Sequence, residues 1–377
     1  MFRIMLGSAV ASIAILLLPS VSLAGSDPFL QGEMDNLVQA GYPGAAIDDS
    51  GSTATSGVAD VVSGHAMQPN QSVRIGSLTK TFVATVALQL VREGRLSLDD
   101  TVERWEPGLL PYGDQVTVRM LLNHTSGVPD YYEKGSNPLL FQFINDPGFR
   151  TITWTPQQLV ALVSNQPPTF HPGAQSEYSD TNYVIAGMII ETVTGDTIGN
   201  EIRNRIIAPL HLKHTMFPTA DQTTLPSPSG RGYSFLVDRN DNPIPGTLTD
   251  ETEYNTSLMW AMGAMVSNLS DLNTFYHALF SGQLLPANML AQMMQTVPVH
   301  EPDFPPQGVG FGLGIWSWQL PCGTTVWGHE GEVPGFNTWS FSTADGSRTV
   351  SMVTNQLLAT PAMFGTEFAN YAAVWCH

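Results

Sequence analysis

Positive charge is scarce in this chain. It has 15 Lys and Arg against 33 Asp and Glu, a formal net charge of −18, and its only lysines are Lys80, Lys134 and Lys213. An acid excess of that size argues against nucleic acid and anionic membrane surfaces as partners, because both select basic patches. Cysteine is nearly absent. Cys322 and Cys376 are the only two, and neither has a His or Asp placed for a thiol nucleophile. No H-E-x-x-H and no paired-Cys motif offers a metal site, and no G-x-S-x-G elbow supports an α/β-hydrolase. No cofactor is implied. Internal repeats and low-complexity linkers are also missing.

The one long apolar run lies at the N-terminus. Arg3, the apolar stretch Ile4 to Pro19 and the small residues Ser22-Leu23-Ala24 read as a secretory signal peptide over residues 1–24. The run is too short and interrupted for a good membrane span, and no Cys near the cut would carry a lipid anchor. The expected mature chain, 25–377, is exported to the periplasm or the medium; the other reading is a buried N-terminal helix. In an exported chain an isolated cysteine pair reads as a disulfide. Cys322 and Cys376 would close a loop of about 55 residues, worth roughly 4 kcal/mol on the chain-entropy model. The alternative is two buried thiols.

Short β segments are expected in Gly44 to Val62, broken by Gly51 and Gly57. Phe82, Val83, Val86, Leu90 and Val91 recur at helical spacing and predict a helix from Leu78 to Arg92, with Gly94 as its stop. A second helix, capped by Asp180 or Thr181, would run through Ile190 and stop at Gly195, and a third would run from a Ser267 cap to Phe280. Gly314 to Trp318, Thr324 to Trp327, Thr338 to Ser342 and Thr349 to Thr354 read as strands, with Ala344-Asp345-Gly346 as a hairpin turn. Ala362 to Val374 reads as a closing helix. Strands at both ends around a helical middle predict an α+β fold. Its sheet lobe would come from roughly 25–100 and 305–377, with a helical lobe inserted at roughly 101–304.

Three motifs carry candidate chemistry. Ser77-Leu78-Thr79-Lys80 opens the first helix, and positions i and i+3 share a face, so Lys80 can reach the Ser77 hydroxyl. The helix N-terminus turns free N–H groups toward Ser77, whose own N–H would serve as an oxyanion donor. S-x-x-K also arises by chance, as a cap followed by a surface lysine. Lys80, however, sits amid the apolar periodicity. The second motif, Tyr178-Ser179-Asp180, precedes a helix. A phenol becomes a base only where cations lower its pKa, so Tyr178 beside Lys80 would relay a proton; alone it reads as a core tyrosine. The third, His329-Glu330-Gly331, lies on a predicted strand. Gly331 would let a substrate backbone lie along the strand edge, and the Glu332 N–H would be a second oxyanion donor. The bland alternative is a turn with an exposed His.

In order and spacing the three motifs resemble the penicillin-recognising serine hydrolases, which include class C β-lactamases and D-alanyl-D-alanine carboxypeptidases. Their pattern is S-x-x-K, Y-x-N, then K-T-G or H-T-G. Val73-Arg74-Ile75-Gly76-Ser77, Met120 to Gly127, Tyr183 to Met188 and Gly328 to Ser347 extend the likeness over nearly the whole mature chain. The nearest likeness is to the soluble secreted carboxypeptidases. The resemblance implies an antiparallel sheet flanked by helices, a helical lobe and a site between them. It implies Ser77 as nucleophile, Lys80 and Tyr178 as proton carriers, and His329 as an orienting residue. Those enzymes also carry a disulfide where Cys322 and Cys376 stand. Trp260 resembles a cleft aromatic of the family, though a core Trp fits as well.

The departures bear on specificity. Asp180 replaces the usual Asn, Glu330 replaces Thr, and alignment on Cys322 puts Trp316 where the carboxypeptidases hold the substrate carboxylate with Arg. Asp180, Glu330, Gly331, Trp260 and Trp316 are therefore the expected substrate-binding positions, with the acids gathered near Ser77. The expected substrate is a small molecule or short peptide, and no protein partner is implied. The leading reading is a carboxypeptidase-like or β-lactamase-like hydrolase. An esterase or a D-aminopeptidase or amidase is the alternative within enzymes, and a non-catalytic binder of penicillin or cell-wall peptide the alternative outside them.

Overall fold

Both ends of the chain contribute to one sheet. The computed structural model is described for residues 27–132, 139–238, 242–300, 308–357 and 360–377; the expected signal peptide lies outside these. Strands β1 (Gly44–Asp49) and β2 (Ser52–Gly57) form an N-terminal hairpin. The C-terminal part supplies β3 (Val297–Pro298), β4 (Val309–Phe311), β5 (Trp316–Gln319), β6 (Thr325–Val333), β7 (Phe336–Ser342) and β8 (Thr349–Thr354). Their spatial order is β2-β1-β8-β7-β6-β5-β4-β3, every pair antiparallel.

Strand alternation decides what each face of this sheet meets. Ile47, Met352 and Trp339 are in register across β1, β8 and β7. They pack against Leu30, Met34 and Leu37 of helix α1 (Pro28–Ala40) and Tyr371, Val374 and Trp375 of the closing helix. The next row, Ala46, Val353 and Thr338, points the other way. On that side lie the helices α2 (Thr79–Arg92), α3 (Thr181–Thr194), α4 (Trp260–Gly263) and α5 (Leu269–Phe280). The closing helix, α6, spans Pro361–Cys376. Helix α2 is buried from Thr79 to Leu90, polar residues included, because it runs through the middle of this core.

Two details differ from the sequence pattern. Ser267 lies in a short strand, and Asn268 caps α5 instead, its side chain accepting from Asp271 N–H at 2.9 Å. Helix α5, inside the range read as helical lobe, packs directly on β8 and β7. A disulfide joins Cys322 to Cys376 and ties the end of α6 to the β5–β6 turn. Among the described residues no helix is long and apolar enough to cross a membrane.

Buried Glu367 of α6 holds the outer layer to the sheet. Its carboxylate accepts from Tyr42 Oη (2.6 Å), Trp339 Nε1 (3.1 Å), Thr354 Oγ1 (3.2 Å) and Asn337 Nδ2 (3.4 Å). Burial outweighs these bonds and pushes the carboxyl up to about 7 from its usual value near 4.5. The folded chain therefore keeps this proton to higher pH than the unfolded chain. The stability it contributes is complete below about pH 4.5 and is lost as pH rises to 7. Glu367→Gln should remove that share, on the order of 3 kcal/mol between pH 5 and pH 8. Denaturant unfolding at the two pH values checks it, the variant showing the flatter dependence.

Candidate active site

Ser77 sits in a single 3₁₀ turn, Gly76–Leu78, that feeds α2. It is half-buried, and Lys80, one turn on, is fully buried. Lys80 Nζ donates to Ser77 Oγ at 2.7 Å and to the Met262 carbonyl of α4 at 2.8 Å. Asp180 Oδ1 lies 2.7 Å from the same nitrogen, in an ion pair with both side chains buried. An ammonium has three hydrogens, and three oxygens surround it. Tyr178 Oη donates to Ser77 Oγ at 2.9 Å, and Lys80 Nζ lies 5.0 Å from the centre of the Tyr178 ring.

Asp180 stands at the N-cap of α3 but makes no capping bond, because its carboxylate is turned to Lys80. Its own N–H is held by Asp130 Oδ2 at 2.5 Å, and Thr181 Oγ1 bonds the Pro129 carbonyl at 2.7 Å. The loop at 129–130 thereby fixes the start of α3.

The third motif forms part of β6. Pro334 and Gly335 make a two-residue turn, and Val333 faces Phe336 across it. That closing pair exchanges hydrogen bonds, so by alternation Glu332 and Glu330 direct their N–H and C=O groups to the opposite edge. Beyond Gly328, no strand among the described residues pairs with that edge. Gly331 faces the Ser77 turn, and a Cβ there would lie 2.0 Å from the Ile75 carbonyl oxygen. Gly76, at φ +51°, approaches as closely, with a Cβ placed 2.8 Å from Gly331 C and 2.9 Å from Glu332 O. Gly331 is thus needed for the seating of the Ser77 turn on the strand, a different reason from substrate access.

His329 shares the Ser77 side and is buried. Its Nδ1 donates to the Glu330 carbonyl, and its ring lies 6.3 Å from that of Tyr178 and 4.6 Å from that of Trp316. Burial, then the Lys80 charge, push the imidazole down to about 3, so it is neutral at ordinary pH. Trp316 is buried against His329 and Phe311.

The acids do not gather as the sequence suggested. Asp180 reaches Lys80. Glu330 stands opposite Trp339, so its side chain is on the α1–α6 face, across the sheet from Ser77. Glu332 has the same parity and is exposed. The period of two, which turns their backbone to the Ser77 edge, turns their side chains away from the Ser77 face. Trp260, at φ +32°, packs on Gly187 and walls a cavity of about 460 Å³ with Trp154 and Phe217. Ser77, Lys80, Tyr178 and His329 do not line that cavity. Sequence reasoning assigned no role to the Met262 carbonyl, to Asp130 or to His124, which stacks on Tyr178 at 4.4 Å. His124 lies in the family-like stretch Met120 to Gly127, while the Met262 carbonyl, a backbone oxygen, has no residue signature.

The beta-lactamase family model matches residues 29–371. Among solved structures, the chain is similar to a D-stereospecific amidohydrolase from Streptomyces sp. at 40% identity and TM-score 0.79, covering 90% of this chain and 98% of that one. It is similar to the D-amino acid amidase of Ochrobactrum anthropi SV3, complexed with L-phenylalanine amide, at 30% identity and TM-score 0.78, covering 92% and 97%. Penicillin-binding protein 4* of Bacillus subtilis is 27% identical over 305 residues, 80% of this chain and 64% of that protein. The chain thus spans less than two thirds of that relative's length.

Gly331→Ala tests the seating of the turn. A methyl group 2.0 Å from the Ile75 oxygen must push the Ser77 turn off the strand. Displacement of about 1 Å costs on the order of a hundredfold in rate. Stopped-flow measurement of acylation should show that loss, with far-UV circular dichroism unchanged.

Proposed function

The chain belongs to the beta-lactamase family of serine hydrolases, and from that premise we propose that it cleaves amides and esters of D-amino acids through an acyl-enzyme on Ser77. The observation that carries the reading is the convergence of Lys80 Nζ and Tyr178 Oη on Ser77 Oγ, at 2.7 and 2.9 Å. Lys80, surrounded by three oxygens, acts as a fixed ammonium. Tyr178 as phenolate then takes the Ser77 proton while Oγ forms its bond to the substrate carbonyl. The N–H groups of Ser77 and Glu332 hold the oxyanion. The Glu332 carbonyl beside Gly76 supports this, since one strand residue turns both backbone groups to the same edge. Tyr178 next passes the proton to the leaving nitrogen, and the C–N bond breaks. Water repeats the sequence and frees the acid. Neutral His329 orients the edge and takes no proton.

Specificity follows from charge. Trp316 stands where a carboxypeptidase would offer a cation, and Asp180 neutralises Lys80. A substrate carboxylate would lose its hydration here with little in return. The likeness to the Ochrobactrum anthropi D-amino acid amidase over 97% of its length supports D-amino-acid amides. The Cys322–Cys376 disulfide supports export, because such bonds persist in oxidising compartments.

The test compares D-phenylalanine amide, its methyl ester and a peptide ending in D-alanyl-D-alanine. Amide and ester should turn over, with the peptide at least about tenfold slower, equivalent to roughly 1.4 kcal/mol. A preference for the peptide would restore the carboxypeptidase. Ser77→Ala should abolish turnover of all three and the acyl adduct seen by mass spectrometry; retained turnover would remove Ser77 from the mechanism.

The pH profile tests the division of roles. A phenol must ionise before it can take the Ser77 proton, so kcat/KM should rise toward alkaline pH. Asp180→Asn removes the anion paired with Lys80 and should move the rising limb to lower pH. A limb that stays in place would show that the carboxylate does not govern the base.

A further inference from the structure

We infer that His124 is a positioning residue for Tyr178, clamping the backbone on both sides of it and the ring between. The inference rests on the proton-carrying role proposed for Tyr178. Three contacts from one residue meet three consecutive residues. The His124 carbonyl accepts the Glu177 N–H at 2.9 Å. The imidazole stacks on the Tyr178 ring, centroids 4.4 Å apart and planes 27° from parallel. Nδ1 accepts the Ser179 N–H at 3.2 Å, and Asn182 Nδ2 lies 3.3 Å from the same nitrogen.

This pattern fixes the tautomer. A backbone N–H only donates, so Nδ1 carries the lone pair, and the neutral ring bears its hydrogen on Nε2. The ring is itself wedged, with Phe311 edge-on at 5.2 Å and Tyr183 tilted at 5.5 Å. It is buried, so the stack is not loosened by water.

The backbone narrows the choice of residue. His124 has φ +60°, in the left-handed region that Gly, Asn, Asp and His enter more readily than other residues. Of these only His has both an aromatic face and a ring acceptor. The left-handed turn points the ring back under Tyr178. A tyrosine that must hold its oxygen 2.9 Å from Ser77 Oγ gains from a rigid floor, because small displacements of a proton carrier cost rate steeply.

A double-mutant cycle on acylation by a D-amino-acid ester separates positioning from general support. His124→Asn keeps an acceptor and the left-handed backbone but removes the ring. It should slow acylation about ten- to a hundredfold, chiefly in kcat with little change in KM. In a Tyr178→Phe background the same change should cost less than about twofold, because the group it positions no longer carries a proton. Equal losses in the two backgrounds, or no loss in the wild-type background, would overturn the inference. If Tyr178→Phe alone left acylation unchanged, the role of Tyr178 would fail and this inference with it, a result distinct from the other two. Should the Asn variant not fold, His124→Gly, which suits the left-handed backbone and removes ring and acceptor together, runs through the same cycle with the same criteria.

Discussion

A fully buried ammonium must be surrounded by oxygen, and the placement of Lys80 organises much of this molecule. Desolvating such a charge costs several kcal/mol unless its partners are well placed. The partners come from three separate stretches: Ser77 from the turn before α2, Met262 from α4 and Asp180 from the start of α3. Two of these stretches depart from ordinary helix geometry. Asp180 leaves its helix uncapped, and α4 is entered through Trp260 at φ +32°. The loop at Asp130 then holds the Asp180 backbone that capping would otherwise have fixed.

A second constraint meets the first at Ser77. The serine lies close to a strand edge that, beyond Gly328, no strand among the described residues pairs with. The two-residue turn after Val333 sets the parity of β6, and parity decides that Glu332 offers its backbone to that edge. Closeness then requires glycine on both sides, since a Cβ at either Gly76 or Gly331 would overlap the other segment's backbone. Helix start and strand edge are thus joined by main-chain contact, which leaves little freedom for the distance between Ser77 Oγ and the Glu332 backbone.

Legibility in the sequence followed the reach of each signal. The helix at Thr79–Arg92 and the strands from Trp316 to Thr354 were readable because period and turn residues are local. Ser77 with Lys80 was readable because i and i+3 share a helix face. The joining of Tyr178 and Asp180 to that pair was accessible only through family likeness, as about a hundred residues separate them. Two expectations failed for physical reasons. Asn268 caps α5 because Ser267 is committed to a strand. Glu330 and Glu332 neighbour the site in sequence, yet the strand's period of two puts their side chains on the other face. The Met262 carbonyl and the stacking of His124 depend on tertiary packing, which no window of sequence encodes.

Asp180 has a consequence that reaches past its own ion pair. An Asn there would leave Lys80 with a net positive charge facing the substrate; an Asp cancels it at 2.7 Å. The pair then acts at a distance as a dipole, whose field falls faster than that of a lone charge. Tyr178, against the Lys80 end, still feels the cation, while a substrate group farther off feels little of it. Loss of long-range attraction for an anion and retention of short-range support for a phenolate follow from the same substitution. Trp316 packs an uncharged indole against His329. The proposed preference for a substrate without a carboxylate of its own rests on that loss of reach.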